Sequence, residues 1–248
     1  MTGSTDLRGR RVLVPGGTGG VGEGVVRAYL EAGADVVSPT RSDERGQELR
    51  NALGALGTSP LLHLPTHDYT SFAGAEALGR EMQQRLGGID DVVVPVGGWW
   101  HGPSLWEVPE DDWEHAFIGL ATAHMGIARA TLPRLSAAGA YVVVVGQSAQ
   151  IPVPGSGLVS MEQAALLMMQ RVLAAEAPDR RIFAFVLGAV RTRFTTGDQE
   201  QVSADQVGAA AVAASREASL TSRAVPLGSS AEAQAFIANP VRGSQDPA

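Results

Sequence analysis

The sequence predicts a single α/β domain, a doubly wound parallel sheet with helices on both faces. Three observations carry this. Short β-branched runs alternate with longer stretches of helical period, the pattern of strand and crossover helix. Two of those runs, residues 92–94 and 142–145, are unbroken valine, as strands buried on both faces require. A glycine-rich turn at residues 15–22 joins the first run to the first helical stretch. A chain of 248 residues, 44% of them hydrophobic, can bury about 70% of its unfolded surface and needs no covalent staple.

Taken in order, strands are expected at residues 11–15, 34–38, 61–64, 91–96, 141–146 and 182–187. Between them lie helices at 20–32, 42–56, 69–86, 110–135 and 160–177, each long enough for a crossover. Gly33 and Pro178 follow two of these helices as stop signals. No repeat or interdomain linker interrupts the pattern, so residues 1–238 are read as the domain and 239–248 as a loose polar tail.

Composition excludes several chemistries. There is no cysteine, hence no disulfide, thiolate metal site or thiol nucleophile. All 19 basic residues are arginine, so lysine chemistry is absent. A net charge of −7 with scattered arginines argues against a nucleic-acid partner. No apolar run approaches the ~20 residues of a membrane span, and residues 1–11 lack an apolar signal core. A cytoplasmic setting is the expectation. His115 and His124 stand nine residues apart, not at the i, i+4 spacing of a metal pair, and no metal site is expected.

The turn reads Pro15-Gly16-Gly17-Thr18-Gly19-Gly20-Val21-Gly22. Glycines Gly16, Gly20 and Gly22 let backbone approach a diphosphate whose charge sits at the amide-rich start of the following helix, with Thr18 and the Val21 amide on its oxygens. At the tip of the second strand an NAD site would offer a carboxylate to the ribose 2′-hydroxyl. Asp35 comes too early and Asp43 too late, whereas Arg41 can pair with a 2′-phosphate, so NADP(H) is the expected cofactor.

With these residues in place the chain resembles the short-chain dehydrogenase/reductase family, a Rossmann-type fold, over essentially its whole length. Asp68 stands where that family places an adenine contact. Pro95-Val96-Gly97-Gly98 occupies its NNAG position, and residues 187–192 resemble its PGxVxT stretch. The resemblance implies that the Val190 backbone and Thr192 hydroxyl anchor the nicotinamide amide, and that residues 193–206 form a mobile substrate lid. It also implies a homodimer or homotetramer built on the two long helices, whose run from Ala164 to Met169 is apolar on more than one face.

The catalytic residues of that family are missing. The positions of its Asn, Ser, Tyr and Lys read Leu120, Gly146, Val159 and Gln163. Replacement groups are sought in His101, past the fourth strand, and in Gln147 and Ser148, past the fifth, with Gln163 left to hold a ribose hydroxyl. Glu162 is set aside, because helix geometry turns it from the face of Val159 and Gln163. Trp99, Trp100 and Trp106 either line an apolar substrate pocket or meet a partner subunit. The sequence therefore predicts a reductase of an apolar small molecule. Two readings stand beside it: a cyclase, isomerase or dehydratase without net redox, and a noncatalytic binding or scaffold subunit.

Overall fold

The computed structural model describes residues 6–241. Of the expected tail, residues 242–248 lie outside the described residues. Seven parallel strands form one sheet: β1 (Arg11–Leu13), β2 (Asp35–Val37), β3 (Leu62–His63), β4 (Ile89–Val94), β5 (Leu135–Gly146), β6 (Arg181–Leu187) and β9 (Arg223–Leu227). Their spatial order is β3-β2-β1-β4-β5-β6-β9, so the winding reverses between β1 and β4. Two core layers sandwich the sheet. Val25, Tyr29 and Leu30 of α1 (Gly20–Glu31), Leu49 of α2 (Asp43–Leu53), Val207 of α7 (Ala204–Arg216) and Phe236 of α8 (Ser230–Ala238) fill one. Leu78 and Met82 of α3 (Phe72–Leu86), Ile127 of α5 (Leu120–Thr131) and Leu166 of α6 (Gly157–Glu176) fill the other.

Several elements differ from expectation, and helices α7 and α8 stand where none is expected. The helix expected at 110–135 is segmented into α4 (Glu110–Trp113), a π-helical turn at Glu114–Gly119, α5 and a 3₁₀ turn at Leu132–Arg134. Pro133 cannot continue the helical ladder, and Leu135 already pairs with Ile89 in the sheet. The seventh strand, β9, went unread because Pro226 breaks its β pattern; its place on the outer edge of the sheet is where proline is tolerated. The lid expected at 193–206 is shorter. Val202–Ser203 forms β8, paired with β7 (Val190–Arg191), and Ser203 and Gln206 close a capping box on α7. Helix α7 lacks a bulky apolar stripe because it packs by close approach: a β-carbon on Gly208 would lie 2.2 Å from the carbonyl oxygen of Gly24 in α1.

At the opposite end of the strands from the site, fully buried Asp91 organises the charges. It receives Arg10 Nη2 at 2.9 Å and the Ala140 amide at 2.9 Å, and Ser215 donates its hydroxyl. Asp91→Ala would strand Arg10, and breaking such a buried pair costs about 3–5 kcal/mol. We expect thermal unfolding to drop by roughly 10 °C, with Asp91→Asn intermediate. An unchanged Tm would remove Asp91 from this role.

Candidate functional site

The crevice opens where the winding reverses, at the carboxyl ends of β1 and β4, the usual ligand position in such sheets. Its floor is the glycine turn. Gly16 has φ +85°, and a β-carbon there would lie 2.9 Å from the Pro95 carbonyl oxygen. One on Gly22 would lie 2.2 Å from the Gly16 carbonyl oxygen. Side chains are therefore excluded at both positions. Gly19 caps α1 with no side chain, which leaves the first helical amides open to an anion. A β-carbon on Gly20 would meet Thr192 at 2.8 Å, so the 190–195 turn lies directly against the cradle. Within that turn the Thr195 hydroxyl donates to the Val190 carbonyl at 2.8 Å, and the Phe194 amide donates to Thr192 Oγ1 at 3.1 Å.

A cavity of about 560 Å³ runs from this floor. At one end stand Arg41, Arg45, Tyr69 and Thr70; Gly97, Trp99, Trp100 and His115 stand further along, with Leu120 and Val159. Gly16 and Thr18 also line it. Arg41 borders a second hollow with His67 and Asp68. The Thr70 hydroxyl and amide both donate to Asp68, which holds its carboxyl below the usual range. Sequence reading missed Arg45, which stands in the first turn of α2 four residues after Arg41 and lines the same cavity. The tip of β2 offers no carboxylate: Asp43 accepts the Thr66 hydroxyl instead. These features fit a dinucleotide cofactor.

Around the strand end at Gly146 the fold gathers Ser148, sought as a catalytic replacement, and Gln163, expected on the cofactor ribose. A β-carbon there would stand 3.3 Å from Gln163 Oε1 and 3.5 Å from Ser148 Oγ. The Gly146 amide donates to Gln163 Oε1, which leaves the amide nitrogen of that side chain as its free donor group for a ligand. Gln147 is carried away, its amide nitrogen 2.2 Å from a β-carbon built on Gly228. His101 is exposed, and its ring packs on Gly155, where a β-carbon would fall 2.3 Å from Cε1. Trp99 and Trp100 reach the cavity wall, while Trp106 stands 86% exposed.

Two buried groups behind the walls have shifted protonation. His124 is fully buried, its Nε2 2.8 Å from the Val96 carbonyl oxygen, and burial lowers its pKa to about 4. Glu162, expected to point away from the site, is 1% exposed, with Oε1 lacking any partner. Burial pushes its pKa up to about 7. It lies one turn beyond Leu158 and Val159, which wall two separate cavities. No polar pattern in the sequence announces it.

Residues 10–203 match the family model of the short chain dehydrogenases. The chain is 29% identical over 211 residues to the rhamnolipids biosynthesis 3-oxoacyl-[acyl-carrier-protein] reductase of Pseudomonas aeruginosa, covering 80% of this chain and 81% of that protein. It superposes with a TM-score of 0.79 on the NADPH-bound structure of a short chain oxidoreductase of Pseudomonas aeruginosa containing an atypical catalytic centre, at 22% identity and covering 90% and 96% of the two chains. A short chain dehydrogenase of Burkholderia cenocepacia in complex with NADP gives the same TM-score of 0.79 at 22% identity, covering 90% and 97%.

A carboxyl kept neutral by burial stabilises the fold below its unfolded pKa, near 4.5, and that contribution fades as pH rises through about 7. Glu162→Gln removes the penalty. Relative to the native chain it is expected to gain on the order of 3 kcal/mol between pH 5 and pH 8, or roughly 5–10 °C in Tm. Melting curves whose difference stays flat across that range would show that Glu162 does not titrate so.

Proposed function

The chain belongs to the short chain dehydrogenase family, and from that premise we propose that it is an NADP(H)-dependent reductase of a small apolar carbonyl compound that works without the tyrosine–lysine pair. The carrying observation is the pair Arg41 and Arg45 on the crevice wall with no carboxylate at the β2 tip. Two guanidiniums there would receive a ribose 2′-phosphate, while Gly16, Gly20, Val21 and Gly22 admit the diphosphate to the start of α1. Asp68 would border the adenine, with Gly97 on the opposite wall. Val190 and Thr192, lying on the cradle, would face the nicotinamide amide.

When bound, the reduced nicotinamide supplies a hydride. The chain must hold the substrate oxygen and deliver a proton. Ser148, beside Gly146, would donate a hydrogen bond to that oxygen, and Gln163 Nε2 would take the ribose hydroxyl. Val159 on the wall cannot pass a proton, so the proton comes from His101, solvent or the substrate itself, with His115 on the cavity wall as a further source. Losing a positioned acid costs typically 10²–10⁴-fold in rate, which slows hydride transfer without forbidding it. Trp99 and Trp100 give the substrate an apolar wall.

The same loss favours a second reading, a cyclase, isomerase or dehydratase with no net redox. Loss of nicotinamide absorbance with ketones, imines and enones separates the two, since measured NADPH binding with no turnover across the panel would favour the second. A noncatalytic scaffold subunit would instead require a stable hetero-complex. Among the described residues no helix is long and apolar enough to cross a membrane, and the protein is proposed to act in the cytoplasm.

We expect NADPH to bind more tightly than NADH. Arg41→Ser should weaken NADPH about 10–100-fold, the worth of one charge-assisted hydrogen bond, and leave NADH unchanged. Tighter NADH binding by the native chain would sink the assignment.

The outer face of α6 exposes Met161, Met168 and Val172, and Ile118 and Met125 lie exposed on the neighbouring helical segment. We propose a homodimer or homotetramer that covers this surface. Met168→Glu is expected to shift the native chain to a smaller species by light scattering, and a native chain already monomeric at micromolar concentration would refute it.

A further inference from the structure

The part of the crevice wall that follows β4 has little to hold it. Pairing of β4 with β5 ends at Val94 with Val143. Gly97 and Gly98 then follow without side chains, and a β-carbon on either would find nothing within 4 Å. Yet Val96, Gly97 and Gly98 line the cavity, and the preceding Pro95 carbonyl sets the clearance at Gly16. Among the described residues a single side chain hydrogen-bonds residues 95–101. It is His124, whose Nε2 lies 2.8 Å from the Val96 carbonyl oxygen.

The contact assigns the tautomer. A carbonyl only accepts, so Nε2 carries the proton and Nδ1 does not. Nδ1 is buried and has no partner. An apolar side chain on this stripe of α5, beside buried Ala123, Ile127 and Ala128, would fill the space without stranding a ring nitrogen. Packing alone therefore gives no reason for an imidazole here; the hydrogen bond does. Burial keeps the ring neutral, and so in this single-donor form, at physiological pH.

We propose that His124 is a positioning residue for the cofactor: its Nε2–H pins the Val96 carbonyl and so holds the Val96–Gly98 wall at the separation from the glycine turn that a dinucleotide needs. The pin acts through the backbone and touches neither cofactor nor substrate. Its consequence for binding rests on the cofactor reading above, whereas its effect on the wall does not.

The test separates the two with the full chain and NADPH as probe. In the native protein, ring ¹⁵N shifts should report His124 protonated at Nε2; protonation at Nδ1 would overturn the proposal without any variant. His124→Leu should drop the order parameters of the Gly97 and Gly98 amides from the rigid range near 0.85 to below about 0.6. It should also raise the NADPH Kd at least roughly ten-fold, a loss of about 1.4 kcal/mol. His124→Gln, which keeps a donor, should recover most of both. A merely structural role predicts instead that order and affinity follow Tm and that Gln fares no better than Leu. Leu with native order and affinity, or Gln as impaired as Leu, overturns the assignment. A native chain that does not bind NADPH fells the cofactor reading, and the order parameters still decide the pin.

Discussion

The structure depends on two missing β-carbons. At Gly16 and Gly22 the backbone comes so near to the Pro95 and Gly16 carbonyl oxygens that any side chain would collide with main chain. This closeness brings the first turn of α1 over the carboxyl end of β1 and against the segment leaving β4, at the point where the winding reverses. A crevice with open helical amides on its floor follows from that geometry. The close contact of Gly24 with Gly208 then fixes α1 on α7, whose capping box is formed by the residues that close the 190–203 segment over the cradle. One class of constraint, backbone admitted where side chains are not, thus links crevice floor, helix packing and the 190–203 segment.

The architecture was legible because its signals are local. Valine runs 92–94 and 142–145 fall within β4 and β5, and the glycine turn lies where strand passes to helix. What escaped has equally local causes. Helix α7 buries mostly alanines and a glycine, so no stripe of large apolar side chains marks it even though Ser203 and Gln206 mark its start. Helix α8 is announced in the same way by Ser229 and Glu232. Strand β9 carries a proline that reads as a break until its position at a sheet edge is known. The segmentation of the long helix before β5 leaves no mark in residue period, since a π turn shifts the register without changing the composition.

The site divides along a similar line. Of the residues picked out at the glycine turn and the strand tips, Gly16, Thr18, Gly97 and Arg41 all line one cavity. For other candidates the sequence gives the residue but not its neighbours. Ser148 and Gln163 gain meaning from meeting around Gly146, and Gln147, adjacent in sequence to Ser148, points to another strand end. His101, expected at the crevice, packs on Gly155, whereas His115, considered only for a metal pair, faces the cavity.

Proton supply shows why the tertiary level decides. Arginine cannot release a proton near neutrality, and there is neither lysine nor cysteine. The three tyrosines are all buried, and each is held above its ordinary pKa chiefly by that burial. Near pH 7 an imidazole and an upward-displaced carboxyl are the side-chain types left for proton exchange. His124 is removed from that set by its own burial, which lowers it to about 4, and Glu162 enters it by the same cause acting on the opposite charge type. Desolvation thus moves the two buried groups in opposite directions, because it disfavours the charged form of each, and a sequence without its fold carries no sign of either shift.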